Sequence, residues 1–100
     1  MKKIVLLCNQ GMSTSILVKK MQEAAASENY ECDISAFPTS EAREKAADAD
    51  IVLLGPQVRF QQKKVAEQCP GRPVELIDMR LYGRMDGAGI LKFAREKIGD

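Results

Sequence analysis

The stretch Lys3-Ile4-Val5-Leu6-Leu7-Cys8, running straight into Asn9-Gln10-Gly11-Met12-Ser13-Thr14-Ser15, decides how this chain folds. Ile4 to Leu7 is an unbroken apolar run, which suits a strand covered on both faces, as in a parallel sheet. The pattern recurs as Ile51-Val52-Leu53-Leu54 in the segment Asp50 to Leu54. Two further segments read as outer strands. Glu31 to Phe37 alternates Cys32, Ile34 and Ala36 with Glu31, Asp33 and Ser35, and Val74 to Ile77 is a short run behind Pro73.

Helical spacing fills the gaps between them. Ser13 to Ser27 puts Ile16, Leu17, Met21, Ala24 and Ala25 on one stripe. Thr39 or Ser40 is placed to cap a short helix through Ala47, with Glu41 in its first turn. Gln57 to Gln68 is a polar helix that stops before Cys69-Pro70-Gly71, and Asp86 to Ile98 turns Ile90, Leu91, Ala94 and Ile98 inward. Strands and helices therefore alternate along residues 1–100 with no linker or repeat. That order predicts a single-domain α/β fold: an open four-stranded parallel sheet, right-handed crossovers, and helices on both faces. Ligands of such sheets bind beyond the carboxyl ends of the strands. Three segments should meet there: Cys8 to Ser15, Gly55 to Phe60, and Asp78 to Asp86.

Composition removes several classes of function. Fifteen Lys and Arg nearly balance fourteen Asp and Glu, so bulk charge offers nothing to a nucleic acid or to a membrane surface. There is no histidine, which removes the usual general base, phosphate carrier and metal ligand together. The three cysteines, Cys8, Cys32 and Cys69, form no C-x-x-C pair, so neither a metal site nor a disulfide framework is expected. The lysines and apolar residues of the opening octet are too short a run for a secretory signal, and no run is long enough to span a bilayer. A cytoplasmic protein is the expectation, with its thiols reduced.

The loop after the first strand has the chemistry of an anion cradle, a P-loop-like turn headed by cysteine. Gly11 permits a turn in which successive N–H groups face one concavity, and Ser13, Thr14 and Ser15 add hydroxyls at the start of a helix. The helix N-terminus contributes about half a positive charge. These features hold phosphates, and the same donors stabilise a thiolate, the nucleophilic form of Cys8. In a tyrosine-phosphatase loop an arginine stands six positions after the cysteine; here that position is Thr14. Lacking that bidentate clamp, the loop suits a carrier better than a hydrolase. A small cysteine phosphatase, with Asp78 or Asp86 as acid, and a phosphate-binding regulatory module remain the alternatives.

Three stretches carry a resemblance to a known family: I-V-L-L-C-N-Q-G-M-S-T-S-I-L-V-K-K-M from Ile4, A-D-I-V-L-L-G-P-Q-V from Ala49, and P-V-E-L-I-D-M-R-L-Y-G-R-M-D-G from Pro73. In their order and over essentially the whole chain, they resemble the enzyme IIB component of the sugar phosphotransferase system, lactose/cellobiose type. Asn9-Gln10 departs from the family's usual small pair after the cysteine. The resemblance implies that Cys8 accepts a phosphoryl group from a phosphohistidine of enzyme IIA and passes it to a sugar on the membrane component IIC, with a β-linked disaccharide such as cellobiose as the expected substrate. It implies no cofactor. A monomer is the simple expectation for a chain that docks two partners in turn. Beside the loop, Gln57, Asp78 and Tyr82 are candidates for accessory or partner contacts. Met12 and Phe60 could give an apolar docking patch, and Arg59, Lys63, Lys64, Arg80 and Arg84 a positive rim.

Overall fold

The computed structural model describes residues 1–8 and 12–100. Four strands, β1 (Lys2–Cys8), β2 (Cys32–Pro38), β3 (Ile51–Leu54) and β4 (Val74–Leu76), form one sheet in the order β2-β1-β3-β4. All three pairings are parallel. Among the described residues, five α-helices accompany them: α1 (Met12–Ser27), α2 (Ala42–Lys45), α3 (Gln62–Gln68), α4 (Met79–Gly83) and α5 (Gly87–Ile98). Thus the two unbroken apolar runs are the central strands and the two weaker ones are the edges, as the patterning predicts.

Register follows from burial on both sides. Ile4 and Leu6 pair with Ile51 and Leu53, and these side chains join Leu17, Met21, Ile90, Leu91 and Ala94 in the core beneath α1 and α5. Val5, Leu7, Val52 and Leu54 point the other way, against Ala42, Ala46, Val58, Val65 and Cys69 of the α2 and α3 side. Each large side chain fully buried this way contributes about 1.5–3 kcal/mol relative to an exposed one. At the amino end the Asp50 carboxylate accepts the Lys3 N–H at 2.7 Å while the Asp50 N–H donates to Lys3 O at 2.8 Å, which pins β3 against β1. Between α1 and α5 the approach is close enough to need glycine: a Cβ on Gly87 would lie 2.7 Å from the Lys20 carbonyl carbon and from Met21 N.

Several local expectations are corrected. The segment from Gln57 is not one helix: a 3₁₀ stretch, Pro56–Gln61, precedes α3, and Val58 interrupts it at φ −117° and ψ 20°. Pro56 starts the stretch readily because it needs no N–H there, and burial of Val58 bends the backbone toward the core. Neither Thr39 nor Ser40 caps a helix through its side chain; Thr39–Glu41 is a 3₁₀ turn entered from Pro38, and α2 is a single turn after it. Tyr82 and Gly83 lie in a short helix, α4, inside the segment Asp78 to Asp86. Ile16 is half exposed rather than in the α1 core stripe.

With β1 followed by β2 on one side and β3 on the other, the strand order reverses between β1 and β3. A crevice opens at the carboxyl ends of such a pair. Cys8 closes β1 and Gly55 follows β3, so both stand at that point. Among the described residues, no helix is long and apolar enough to cross a membrane.

Candidate functional site

Cys8 is the last residue of β1 and only 6% exposed. Its position follows from the apolar run before it: once Ile4 to Leu7 are locked into the sheet, the next side chain is delivered to the rim. From the first turn of α1, Thr14 turns its hydroxyl back onto the strand and donates from Oγ1 to Cys8 Sγ at 2.9 Å. Thr14 is 2% exposed, the one buried polar residue among the described ones. A buried hydroxyl needs a partner to offset its desolvation, and here the partner is the sulfur.

The second wall comes from beyond β3. Gly55 N donates to Leu7 O at 3.0 Å, which carries the β1–β3 ladder to the residue before Cys8. Because Gly55 has no side chain, three groups converge on its Cα. A Cβ built there would meet Gln57 Oε1 at 3.0 Å, Cys8 Cβ at 3.6 Å and Tyr82 Cε2 at 3.7 Å. The third wall is α4. Its Tyr82 hydroxyl lies 3.3 Å from Thr14 Oγ1, so residues far apart in sequence enclose one sulfur.

Of the residues singled out in the sequence, Cys8, Thr14, Gln57 and Tyr82 are therefore brought together. Asp78 is not among them. Its carboxylate accepts from the N–H groups of Arg80 at 2.7 Å and Leu81 at 3.2 Å, the N-cap of α4. Asp86 similarly caps α5, accepting from Gly89 N at 2.9 Å. Ser15 lies on the exposed side of α1. Asn9, Gln10 and Gly11 lie outside the described residues, as do the side chains of Met12 and Ser13. The role of Gly55 as the floor on which Cys8, Gln57 and Tyr82 meet was not foreseen. The only hint was a glycine immediately after a buried strand, a common mark of close approach.

The other two thiols have different surroundings. Burial alone pushes the Cys69 thiol up, and Cys32 is pushed up first by burial and then by the neighbouring Asp33 carboxylate. Both effects favour the unreactive protonated form. No group of three or more Cys, Asp and Glu side chains is arranged to hold a metal ion among the described residues.

Chemically, the cluster combines a thiol at the end of a central strand, a hydroxyl donor on its sulfur, and the start of a 16-residue helix. Comparison with known proteins gives the context. The family model for the lactose/cellobiose-specific IIB subunit of the PTS system matches residues 3–93. An oligo-beta-mannoside-specific EIIB component of Bacillus subtilis is 45% identical over 89 residues, covering 87% of this chain and 86% of its own. A cellobiose-specific EIIB component of Lactococcus lactis is 41% identical over 100 residues, with 93% of both chains covered. The solution structure of the cellobiose-specific phosphotransferase IIB component of Borrelia burgdorferi superposes with a TM-score of 0.82 at 36% identity, covering 98% of this chain and 92% of the other. Sequence, fold and the order of the three motifs agree, and the chain belongs to the lactose/cellobiose-specific IIB family of the phosphotransferase system.

Proposed function

We propose that this protein is a phosphoryl carrier whose acceptor is Cys8. The phosphohistidine of a IIA protein supplies the group: its N–P bond breaks as the Cys8 S–P bond forms, and the thiol proton passes to the departing imidazole or to solvent. A sugar hydroxyl held by the membrane component IIC then attacks phosphorus: its O–P bond forms as the S–P bond breaks, and the hydroxyl proton passes to the departing Cys8 sulfur or to solvent. The observation that carries this reading is the 2.9 Å bond from Thr14 to the Cys8 sulfur at the mouth of α1. A donor already aimed at sulfur serves the nucleophile, and later the leaving group, without reorganisation.

Thr14 occupies the position of a phosphatase arginine, and a neutral hydroxyl there fits reversible transfer better than hydrolysis. Residues 9–15 form the proposed phosphoryl cradle, with Gln57 and Tyr82 beside it. Docking is assigned to the same end of the sheet, where Phe60 is 77% exposed and Met79 and Ile16 are exposed as well. Arg59, Lys63, Lys64, Arg80 and Arg84 are all exposed around it and suit an acidic partner surface. The protein acts as a cytoplasmic monomer that meets IIA and the inner face of the membrane in turn. Its relatives serve different sugars by name, oligo-beta-mannoside and cellobiose among them, and a β-linked disaccharide is the substrate proposed.

Intact-mass spectrometry after incubation with phosphorylated IIA tests the reading. One phosphoryl group should be gained by the native protein and by none of Cys8→Ser or Cys8→Ala. Release of inorganic phosphate from an aryl phosphate would favour the phosphatase, and failure of the native protein to gain mass would leave a binding module.

A further inference from the structure

Thr14 has one hydroxyl hydrogen, and the geometry sends it to Cys8 Sγ at 2.9 Å. The contact between Thr14 Oγ1 and Tyr82 Oη at 3.3 Å is compatible with donation from either atom when taken alone. Once Thr14 has committed its hydrogen, only Tyr82 can be the donor, because a hydroxyl has one hydrogen and two acceptor lone pairs. The three groups then form a directed chain, Tyr82 to Thr14 to Cys8. We infer that Tyr82 is a positioning residue for the nucleophile: by donating to Thr14 it holds the Thr14 hydrogen on the sulfur. The inference rests on the reading of Cys8 as the phosphoryl acceptor and assigns that site a control element outside the cysteine loop.

The surroundings support this role. Hydrogen bonds in a chain polarise one another, and do so more where water is excluded. Thr14 and Cys8 are both buried and Tyr82 is half-buried. Tyr82 is itself held, since its ring edge lies over Gly55 and its backbone N–H donates to Asp78 O at 2.9 Å within the capped α4. The chain also has a use after transfer. A sulfur bonded to phosphorus is a poorer acceptor than a thiolate, so the Thr14 hydrogen can turn to a phosphoryl oxygen while Tyr82 still donates behind it. No additional bond is made or broken by Tyr82, and its own proton stays on its oxygen.

The test follows the rate of Cys8 alkylation by iodoacetamide against pH, read on the Cys8 peptide by mass spectrometry. The pH of the half-maximal rate is the observable, because rate at one pH mixes thiolate fraction with nucleophilicity. Tyr82→Phe keeps the ring and removes the donor, and should move that pH upward by about half a unit to one unit, the effect of one lost hydrogen bond in a charged network. Thr14→Val should move it at least as far, and Thr14→Ser should restore most of the shift. Adding Tyr82→Phe to Thr14→Val should change nothing further, since Tyr82 acts through Thr14. A Tyr82→Phe profile that overlays the native one overturns the chain, as does an additive double variant. Phosphoryl gain measured in the same set keeps the two readings apart. A phosphorylated Cys8→Ala would remove the carrier reading, while an unshifted Tyr82→Phe with normal Cys8 phosphorylation would remove only the chain.

Discussion

Cys69 is 1% exposed, and its thiol donates to Ala42 O at 3.5 Å, a bond available only to the protonated form. Its surroundings are Val5, Leu7 and Val65 rather than donors. Cys69→Ala should therefore lower stability by about 1 kcal/mol through a small cavity and a lost weak bond, as read from the urea midpoint. Phosphoryl gain at Cys8 should be unchanged; its loss would mean that Cys69 shares in the chemistry. The contrast between the two cysteines was visible in sequence, because Gly11 and three hydroxyl residues follow Cys8 while Cys69 is followed by Pro70-Gly71. The contact that directs the Thr14 hydroxyl was not. Tyr82 stands 68 positions from Thr14, and only the packing of α4 over Gly55 brings it in.

At the scale of elements, the short helix α4 is the piece that closes the site, and Asp78 starts it with two accepted N–H bonds. Asp78→Ala should cost about 1 kcal/mol as a lost N-cap and should also slow phosphoryl gain by loosening Tyr82. Asp78→Asn separates this role from proton transfer, since asparagine caps as well as aspartate but cannot act as an acid. Near-native transfer in Asp78→Asn, with slowed transfer in Asp78→Ala, is the expected pair of results; equal losses in both would return Asp78 to the chemistry. Periodicity could not reveal α4, whose five residues make little more than one turn. The 3₁₀ path through Pro56–Gln61 escaped for a related reason. Its polar residues carry a helical pattern, but the backbone there is set by the burial of Val58. The long elements were legible because their apolar runs and stripes are the core itself.

Across the molecule, the amino end of the sheet is closed by contacts remote from Cys8. Tyr30, just before β2, donates from its hydroxyl to Asp100 Oδ2 at 2.8 Å, and the Arg95 guanidinium lies 4.3 Å from its ring centre while bonding Glu28 at 2.8 Å. Burial, then the bond to Asp100 and that carboxylate's charge, push the Tyr30 hydroxyl up to about 12 from 10.0. Folding therefore makes Tyr30 hold its proton more tightly than the unfolded chain does. Stability from this site is fully present below pH 10.0 and is lost as the pH climbs through about 12. Tyr30→Phe keeps the ring under Arg95 but has no proton to lose. At pH 8 it should be less stable than the native protein by about 1 kcal/mol, the typical worth of one partly exposed hydrogen bond. Urea midpoints between pH 10 and 12 should then converge, because the native protein loses its advantage as Tyr30 ionises beside Asp100. A gap that stays constant across that range would show that the hydroxyl titrates alike in the folded and unfolded chains. Alkaline loss at Tyr30, with the Cys8 cluster at the opposite end of the strands, should leave phosphoryl gain at neutral pH unaffected by Tyr30→Phe.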